Sequence, residues 1–182
     1  MPHSNIIAAK SEDEVWKIIA EQLNSKENNQ DYTAQFSTQY HSVDLDIDIH
    51  PEGGDENGKQ MTSFSAPLSD KTSFRFRIAN QGLKHTIGKL FGMQDVIIGH
   101  PEFDKKFLIQ TNDAAKVKKA FSDEQVTAAL LEQPIVVFEI REHRIGANKQ
   151  ILLGLDLEGG ITEPDKLKNI FQPFKIVLNQ LH

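Results

Sequence analysis

The residues with the clearest potential for chemistry lie in one acidic stretch, VDLDIDIHPEGGDENG, which spans residues 43–58. Asp44, Asp46 and Asp48 alternate with apolar residues there, and His50 follows them. Carboxylates and imidazoles bind divalent cations, and a bound cation can activate water for hydrolysis. The stretch therefore has three interpretations: a metal site, a catalytic cluster, or the solvated face of a strand.

The spacing of these acids favours the solvated strand face. Residues two apart on a strand point to the same side, about 7 Å from each other, which is long for ligands of one ion. An EF-hand calcium loop needs glycine at its sixth position and glutamate at its twelfth, and neither register, counted from Asp44 or from Asp48, meets both requirements. We expect these acids to prevent edge pairing with other chains. The metal alternative stays open, with Asp44, Asp46 and Asp48 as its candidate ligands and His50 beside them.

A second group of carboxylates surrounds a predicted turn at residues 99–101. An aspartate near a turn typically accepts hydrogen bonds from backbone N–H groups, and we predict this role for Asp104. If the turn folds back, Asp95 or His100 would meet Asp104, and the pair Asp95 and Asp104 becomes the second candidate for a hydrolytic site.

Glu139, Arg141 and His143 alternate along a predicted strand and therefore share its outward face. Their composition resembles that of a catalytic group, but a solvated strand face is the commoner explanation of such a pattern. The histidines show neither H-x-H nor H-E-x-x-H spacing, and no nucleotide-binding glycine motif occurs. The sequence thus indicates no catalytic residue, no cofactor and no metal ligand beyond the candidates above.

Composition and charge exclude several classes of function. A formal net charge of -6 over 182 residues gives no general attraction to nucleic acid or anionic lipid, and the basic run 116–120 is expected to be a solvated helix face. The absence of cysteine excludes disulfides and thiolate metal sites and fits a reducing compartment. No apolar run approaches the 18 or so residues of a membrane span. We therefore expect a cytoplasmic protein that binds no nucleic acid.

The first element that the sequence predicts is a short amphipathic helix. Ser11 and Glu14 form a capping box before an apolar stripe that includes Trp16, Ile19 and Leu23. A polar loop follows, so residues 1–28 are expected to form a separate N-terminal arm and residues 29–182 a single domain. Because a detached helix should not expose this much apolar surface, the stripe predicts contact with a protein partner or a second copy of the chain.

Period-two alternation predicts strands in the rest of the chain. We expect a hairpin from residues 32–40 and 43–49, a second from MTSFSAPL and SFRFRIAN, and a third from PIVVFEIRE and QILLGLDLE around IGANK. If the acidic strand lies beside SFRFRI, Arg75 and Arg77 would pair with its aspartates. Another strand, the turn at residues 99–101, and a strand carrying Phe103 and Phe107 complete the set.

Helical periodicity predicts helices near residues 83–91 and 113–121, then one capped by Ser122 and Gln125, and a last one from Leu167 to Leu181. Pro173 is expected to kink or break the last helix. Strands come in hairpins and helices in separate blocks, which predicts the α+β class: an antiparallel sheet built from hairpins, helices packed on one face, and an N-terminal helix.

The stretch from Asp95 to Phe107 carries a resemblance. Its pattern D-[I/V]-x-x-G-x-x-x-F-D-x-x-F is matched by Asp95, Val96, Gly99, Phe103, Asp104 and Phe107. This block resembles one in a poorly characterised group of bacterial proteins of unknown function, many of them membrane-anchored. The resemblance extends over residues 30–180 and implies an architecture, without an activity. This chain departs from the group because it has no predicted membrane span.

Apolar stripes are plentiful in this sequence, whereas polar groups that must converge are few. This balance favours a non-enzymatic cytoplasmic module whose sheet or helical stripe meets another protein or a second copy of itself. The alternative is a weak divalent-metal or small-ligand binding protein, or a metal-assisted hydrolase, that uses the Asp44, Asp46 and Asp48 face or Asp95 with Asp104.

Overall fold

A computed structural model describes residues 5–25, 30–50, 58–81, 92–145 and 148–181. These residues form nine strands and five helices. The strands are β1 (Asn5–Ile7), β2 (Tyr32–Ser37), β3 (Ser42–Asp48), β4 (Met61–Leu68), β5 (Phe76–Asn80), β6 (Gln94–Asp95), β7 (Phe107–Thr111), β8 (Ile135–Ile145) and β9 (Asn148–Glu158). The helices are α1 (Glu12–Ser25), α2 (Pro101–Lys106), α3 (Ala114–Ala120), α4 (Glu124–Leu131) and α5 (Pro164–Gln180).

The strands join into one sheet in the order β1-β2-β3-β4-β9-β8-β5-β7-β6. Neighbouring strands are antiparallel, except that β1 runs parallel to β2. The predicted α+β class and the mainly antiparallel sheet are confirmed. No helix among the described residues is both long enough and apolar enough to cross a membrane.

One face of the sheet carries the apolar half of each alternation, and we call it the buried face. In β3, Val43, Leu45 and Ile47 are buried while Asp44 and Asp46 are accessible, as the spacing of the acidic stretch predicts. Five adjacent strands contribute one row of buried Cα partners: Leu45, Phe64, Leu155, Phe138 and Ile78. Aligned rows of this kind fix the register, because a slip by one residue would expose every one of them.

Helix α5 buries the apolar stripe that its sequence predicts. The Phe171 ring lies 5.7 Å from the Phe64 ring, and the Phe174 ring lies 6.0 Å from the Phe138 ring. Pro173 is itself buried, and the helix continues through it, so the predicted break does not occur. Packing on both sides of the proline stabilises this turn although one backbone hydrogen bond is missing.

Residues 5–25 pack into the same core as the rest of the described chain, whereas the sequence predicts a separate arm over residues 1–28. β1 pairs with β2, and the Trp16 ring lies 6.1 Å from that of Phe36 and 5.5 Å from that of Phe171. Trp16 and Ile19 are buried and Leu23 is half-buried. The apolar stripe of α1 therefore packs largely within the chain, where the sequence predicted a contact with a partner.

Strands β4 and β5 do not form the predicted hairpin. β4 lies between β3 and β9, whereas β5 lies between β8 and β7. Arg75 and Arg77 consequently do not meet the aspartates of β3: Arg77 pairs with Glu139, and Arg75 donates to the carbonyls of Thr72 and Phe74. Alternation predicts which face of the sheet a side chain lies on, but which strand lies next to it depends on packing between distant segments.

Local features of the second half also correct the sequence analysis. The turn at residues 99–101 leads into a helix, with Phe103 buried on it, because a proline such as Pro101 suits the first helical turn. Helix α4 is capped by Asp123, whose carboxylate accepts from the Gln125 N–H at 2.8 Å, and not by Ser122. The helix predicted near residues 83–91 lies outside the described residues.

Thr62 ties β4 to the segment after β9, and we expect Thr62→Val to lower the free energy of unfolding by about 1–3 kcal/mol. The buried hydroxyl donates to the Gly159 carbonyl at 2.7 Å and accepts from the Ile161 N–H at 2.9 Å. Valine keeps the shape of threonine and leaves both groups unpaired. Urea denaturation measures the loss, and Ser63→Ala, one residue away on the opposite face, serves as the control with little change. Equal losses in the two variants would contradict this role.

Candidate functional site

The second face of the sheet is polar, and one continuous row of Cα partners crosses it. The row takes one residue from each described strand: Ile6, Gln35, Asp44, Ser65, Gly154, Glu139, Arg77, Gln110 and Asp95. Asp46, Asp156 and Arg141 lie on the same face, because side chains two residues apart on a strand project together. We call this surface the polar face. Its register brings together side chains from both ends of the sequence.

Arg141 is the centre of an ion-pair network on the polar face. Its Nη1 lies 2.5 Å from Oδ2 of Asp156 and 3.9 Å from Oε1 of Glu139. The guanidinium reaches Asp156 by lying across Gly154, where a Cβ atom would come within 2.9 Å of the Arg141 Cζ. Glycine at position 154 therefore makes the room that this arrangement requires.

Glu139 lies between two arginines. Its Oε2 is 3.1 Å from Nη1 of Arg77, and Arg141 approaches from the other side. Burial raises the pKa of Glu139 above its ordinary value, the arginines oppose this shift, and the nearby Asp156 carboxylate adds to it. The network uses both arginines to hold Glu139 and Asp156.

Asp44 and Asp46 lie beside this network with no cation of their own. Gln35 donates to Oδ1 of Asp44 at 2.8 Å, and within the described part of the chain neither aspartate forms an ion pair. Desolvation raises the pKa of Asp46, and the negative charges of Asp44 and Asp156 raise it further. The field at this point therefore favours an added positive charge.

A cleft of about 440 Å³ opens over these two aspartates. Arg141 borders it on one side, and amide, hydroxyl and imidazole groups complete its polar lining: Gln35, Ser42, Ser65, Gln150 and His143. His143 is exposed, so the predicted group Glu139, Arg141 and His143 does share one strand face, as the alternation indicates. Its members serve different contacts, because Arg141 turns toward Asp156.

Asp48 and His50 belong to another cluster, at the end of β3. The Asp48 carboxylate accepts from the His50 N–H at 3.2 Å, and Nδ1 of His50 lies 2.8 Å from Oδ1 of Asp31. Desolvation acts against ionisation of Asp31, but hydrogen bonds from His50 and the Ile49 N–H lower its pKa overall. The structure thus separates Asp48 and His50 from Asp44 and Asp46, which the sequence analysis grouped together.

Asp95 and Asp104 are also used separately. The Asp104 carboxylate accepts from the N–H groups of Ile98 at 3.0 Å and Gly99 at 2.9 Å, which confirms the predicted turn-capping role. Asp95 accepts from Nε2 of Gln110 at 3.0 Å. In the ranges that the structure describes, no three histidine, aspartate or glutamate side chains are arranged to hold a metal ion.

Sequence reasoning did not single out Asp156 and Gly154, the two residues that complete the ion-pair network around Arg141. Alternation in QILLGLDLE shows that both positions face the same way, but it does not show which side chain lies opposite. Only the pairing of β8 with β9 brings Arg141 over Gly154.

Comparison with known proteins identifies no relative of this chain. No protein-family model matches it, and no curated protein matches it.

Proposed function

We propose that the protein is a non-enzymatic binding module that presents its polar face to a basic segment of a protein partner. The observation that carries this proposal is the position of Asp44 and Asp46, two carboxylates without a cation of their own beside a network whose arginines are already paired. A lysine or arginine from a partner would complete the missing charge.

The distribution of helices supports this use of the sheet. Trp16 of α1, Phe171 of α5 and Phe121 after α3 all place their rings against side chains of the buried face. We propose that every helix packs on that face and that the polar face is left for a partner. Layers of this kind, with one side of an antiparallel sheet covered and one accessible, are common in α+β domains.

The shape and charge of the cleft favour an extended basic segment over two other occupants. A second copy of the same face would bring like charges together, which is unfavourable in a symmetric contact. A divalent cation would need several oxygens within 2.0–2.6 Å, roughly, whereas these carboxylates lie about 7 Å apart along the strand. Hydrogen-bonding groups beside the aspartates, Gln35 and Gln150, suit a peptide backbone.

We also propose that the protein acts in the cytoplasm and shares its architecture with the bacterial group that residues 95–107 resemble. The absence of cysteine supports action in a reducing compartment such as the cytoplasm. The resemblance of residues 95–107 to the bacterial group supports a common architecture. Gly99 has φ of +100°, and Asp104 caps the turn beside it, so two positions of that block have a structural explanation.

Binding of a fluorescent tetralysine peptide tests the proposal. We expect the affinity for this peptide to fall as salt is added, because salt screens the attraction between the peptide lysines and the accessible aspartates Asp44 and Asp46. We expect Asp44→Asn/Asp46→Asn to weaken it by about tenfold, since each lost charge pair is worth up to about 1 kcal/mol at a partly exposed site. Fluorescence anisotropy gives the dissociation constants, and a tetraglutamate peptide gives the background.

The matched control is Asp48→Asn/Glu158→Gln, which removes two carboxylates from the same side of the sheet but outside the cleft. It should change the affinity less than about twofold, because the Asp48 carboxylate lies at the end of β3 beside Asp31 and His50, and Glu158 is already paired with Lys59 at 3.1 Å. Equal weakening in the two double variants would show a diffuse effect of net charge and would contradict the proposed site.

A further inference from the structure

A second cleft, of about 360 Å³, lies between the loop after β4, the end of α3 and the end of α5. Three lysines line it, Lys71, Lys116 and Lys119, together with Thr72 and Ser73. No carboxylate is among its lining residues. In a chain with a formal net charge of -6, this concentration of ammonium groups is a local reversal of the overall charge.

Three carbonyls of the loop that lines this cleft accept hydrogen bonds from side chains outside the cleft. Arg75 Nη1 donates to the carbonyls of Thr72 and Phe74, each at 2.7 Å, and Asn112 Nδ2 donates to the carbonyl of Ser73 at 2.8 Å. Three consecutive acceptors are thus satisfied from outside the cleft. The N–H groups of Lys71 and Thr72 already donate to Ser69, so the Thr72 and Ser73 hydroxyls are the loop groups that can donate to an anion.

One of the three lysines, Lys116, has contacts within the chain, whereas the other two have no ion-pair partner among the described residues. Lys116 lies 5.8 Å from the centroid of the Phe74 ring and 3.5 Å from Oδ2 of Asp113, whose other oxygen caps α3. Across the described ranges, Lys71 and Lys119 form no ion pair. Among the described residues, these two ammonium groups therefore have no carboxylate within ion-pair distance.

We propose that this cleft binds the phosphoryl group of a small phosphorylated molecule. A phosphate dianion offers several acceptor oxygens to separate donors, and lysine is a common point-charge partner for it. The volume is at the low end of the range for small-molecule sites, which is about 300–1,000 Å³. The cleft shares no residue with the polar face, so this inference is independent of the proposed protein partner.

Isothermal titration calorimetry with inorganic phosphate and with glycerol phosphate tests the site on the full chain. We expect binding that chloride at equal ionic strength does not reproduce. Tighter binding of glycerol phosphate than of inorganic phosphate would identify an ester as the ligand, and equal binding would identify free phosphate. We expect Lys71→Gln/Lys119→Gln to weaken either ligand by about tenfold, through the loss of two charged donors.

The control variant is Lys105→Gln/Lys118→Gln, which removes two exposed lysines outside the cleft and leaves the net charge equal to that of the test variant. This control should bind phosphate as tightly as the parent chain does. In both the parent chain and the control variant, the amide chemical shifts of residues 71–74 should change when phosphate is added. Equal weakening in the two variants, or no binding to the parent chain above the chloride background, would overturn the proposal.

Discussion

Phe171→Ala lowers the free energy of unfolding by about 3–5 kcal/mol, the range for removal of a fully buried aromatic side chain. Phe171 has no exposed surface, and its ring joins the N-terminal helix, the sheet and the rest of α5. Four rings lie within 6.1 Å of it, centroid to centroid: Trp16, Phe36, Phe64 and Phe174. The cavity left by alanine would open where these elements meet, so little relaxation can fill it. Guanidinium denaturation measures the loss.

The control for this variant is Lys166→Ala on the exposed side of the same helix, which should change stability by about 0.5 kcal/mol or less. Trp16 is the single tryptophan, so its fluorescence reports on α1 alone, whereas far-UV circular dichroism reports on the whole chain. We expect the two transitions to coincide, because α1 shares its core with α5 and β2. An earlier fluorescence transition would instead support an N-terminal unit that unfolds separately.

Arg141→Met lowers the free energy of unfolding by about 2–4 kcal/mol at neutral pH, since it leaves Glu139 and Asp156 facing each other without the shared cation. The figure is below the full cost for a deeply buried pair because a third of the Arg141 side chain, 33%, is exposed. Methionine keeps most of the apolar stem, so the loss reports the charge. Urea denaturation of both proteins over a range of pH measures it.

The effect should depend on pH with a definite sign. Burial already raises the pKa of Glu139 in the parent chain, and removing Arg141 removes one of the charges that oppose the shift. A carboxyl whose pKa is higher in the folded than in the unfolded state favours folding when protonated, and stability falls as the pH rises through the folded-state pKa. The difference between Arg141→Met and the parent chain should therefore shrink as the pH falls from neutral toward the ordinary pKa of glutamate, about 4.3.

Arg144→Met is the matched control for this prediction. Arg144 lies on the same strand and pairs with Glu142 at 2.9 Å, but 77% of its side chain is exposed. Exposed ion pairs contribute little to stability because water and salt screen them. A loss as large as that of Arg141→Met, or a loss for Arg141→Met that does not change with pH, would contradict the role given to the network.

Local patterns in the sequence determined much of what the structure shows. Alternation in residues 43–49 fixed which side of β3 carries aspartates, and the periodicity of α5 fixed its buried stripe, because both depend only on the repeat of a regular backbone. Asp104 capped the predicted turn for the same local reason, since its carboxylate reaches N–H groups only five and six residues away.

Tertiary structure alone decided which segments became neighbours. Contacts between residues far apart in the chain place β4 and β5 apart in the sheet and bury Trp16. They also bring Arg141 into an ion pair with Asp156. An apolar stripe does not indicate its partner, so the stripe of α1 suited a second protein as well as the chain's own core. The acids of β3 became a candidate site only when the register placed them beside a network whose arginines were already paired, because a charge is complemented by what lies across the sheet.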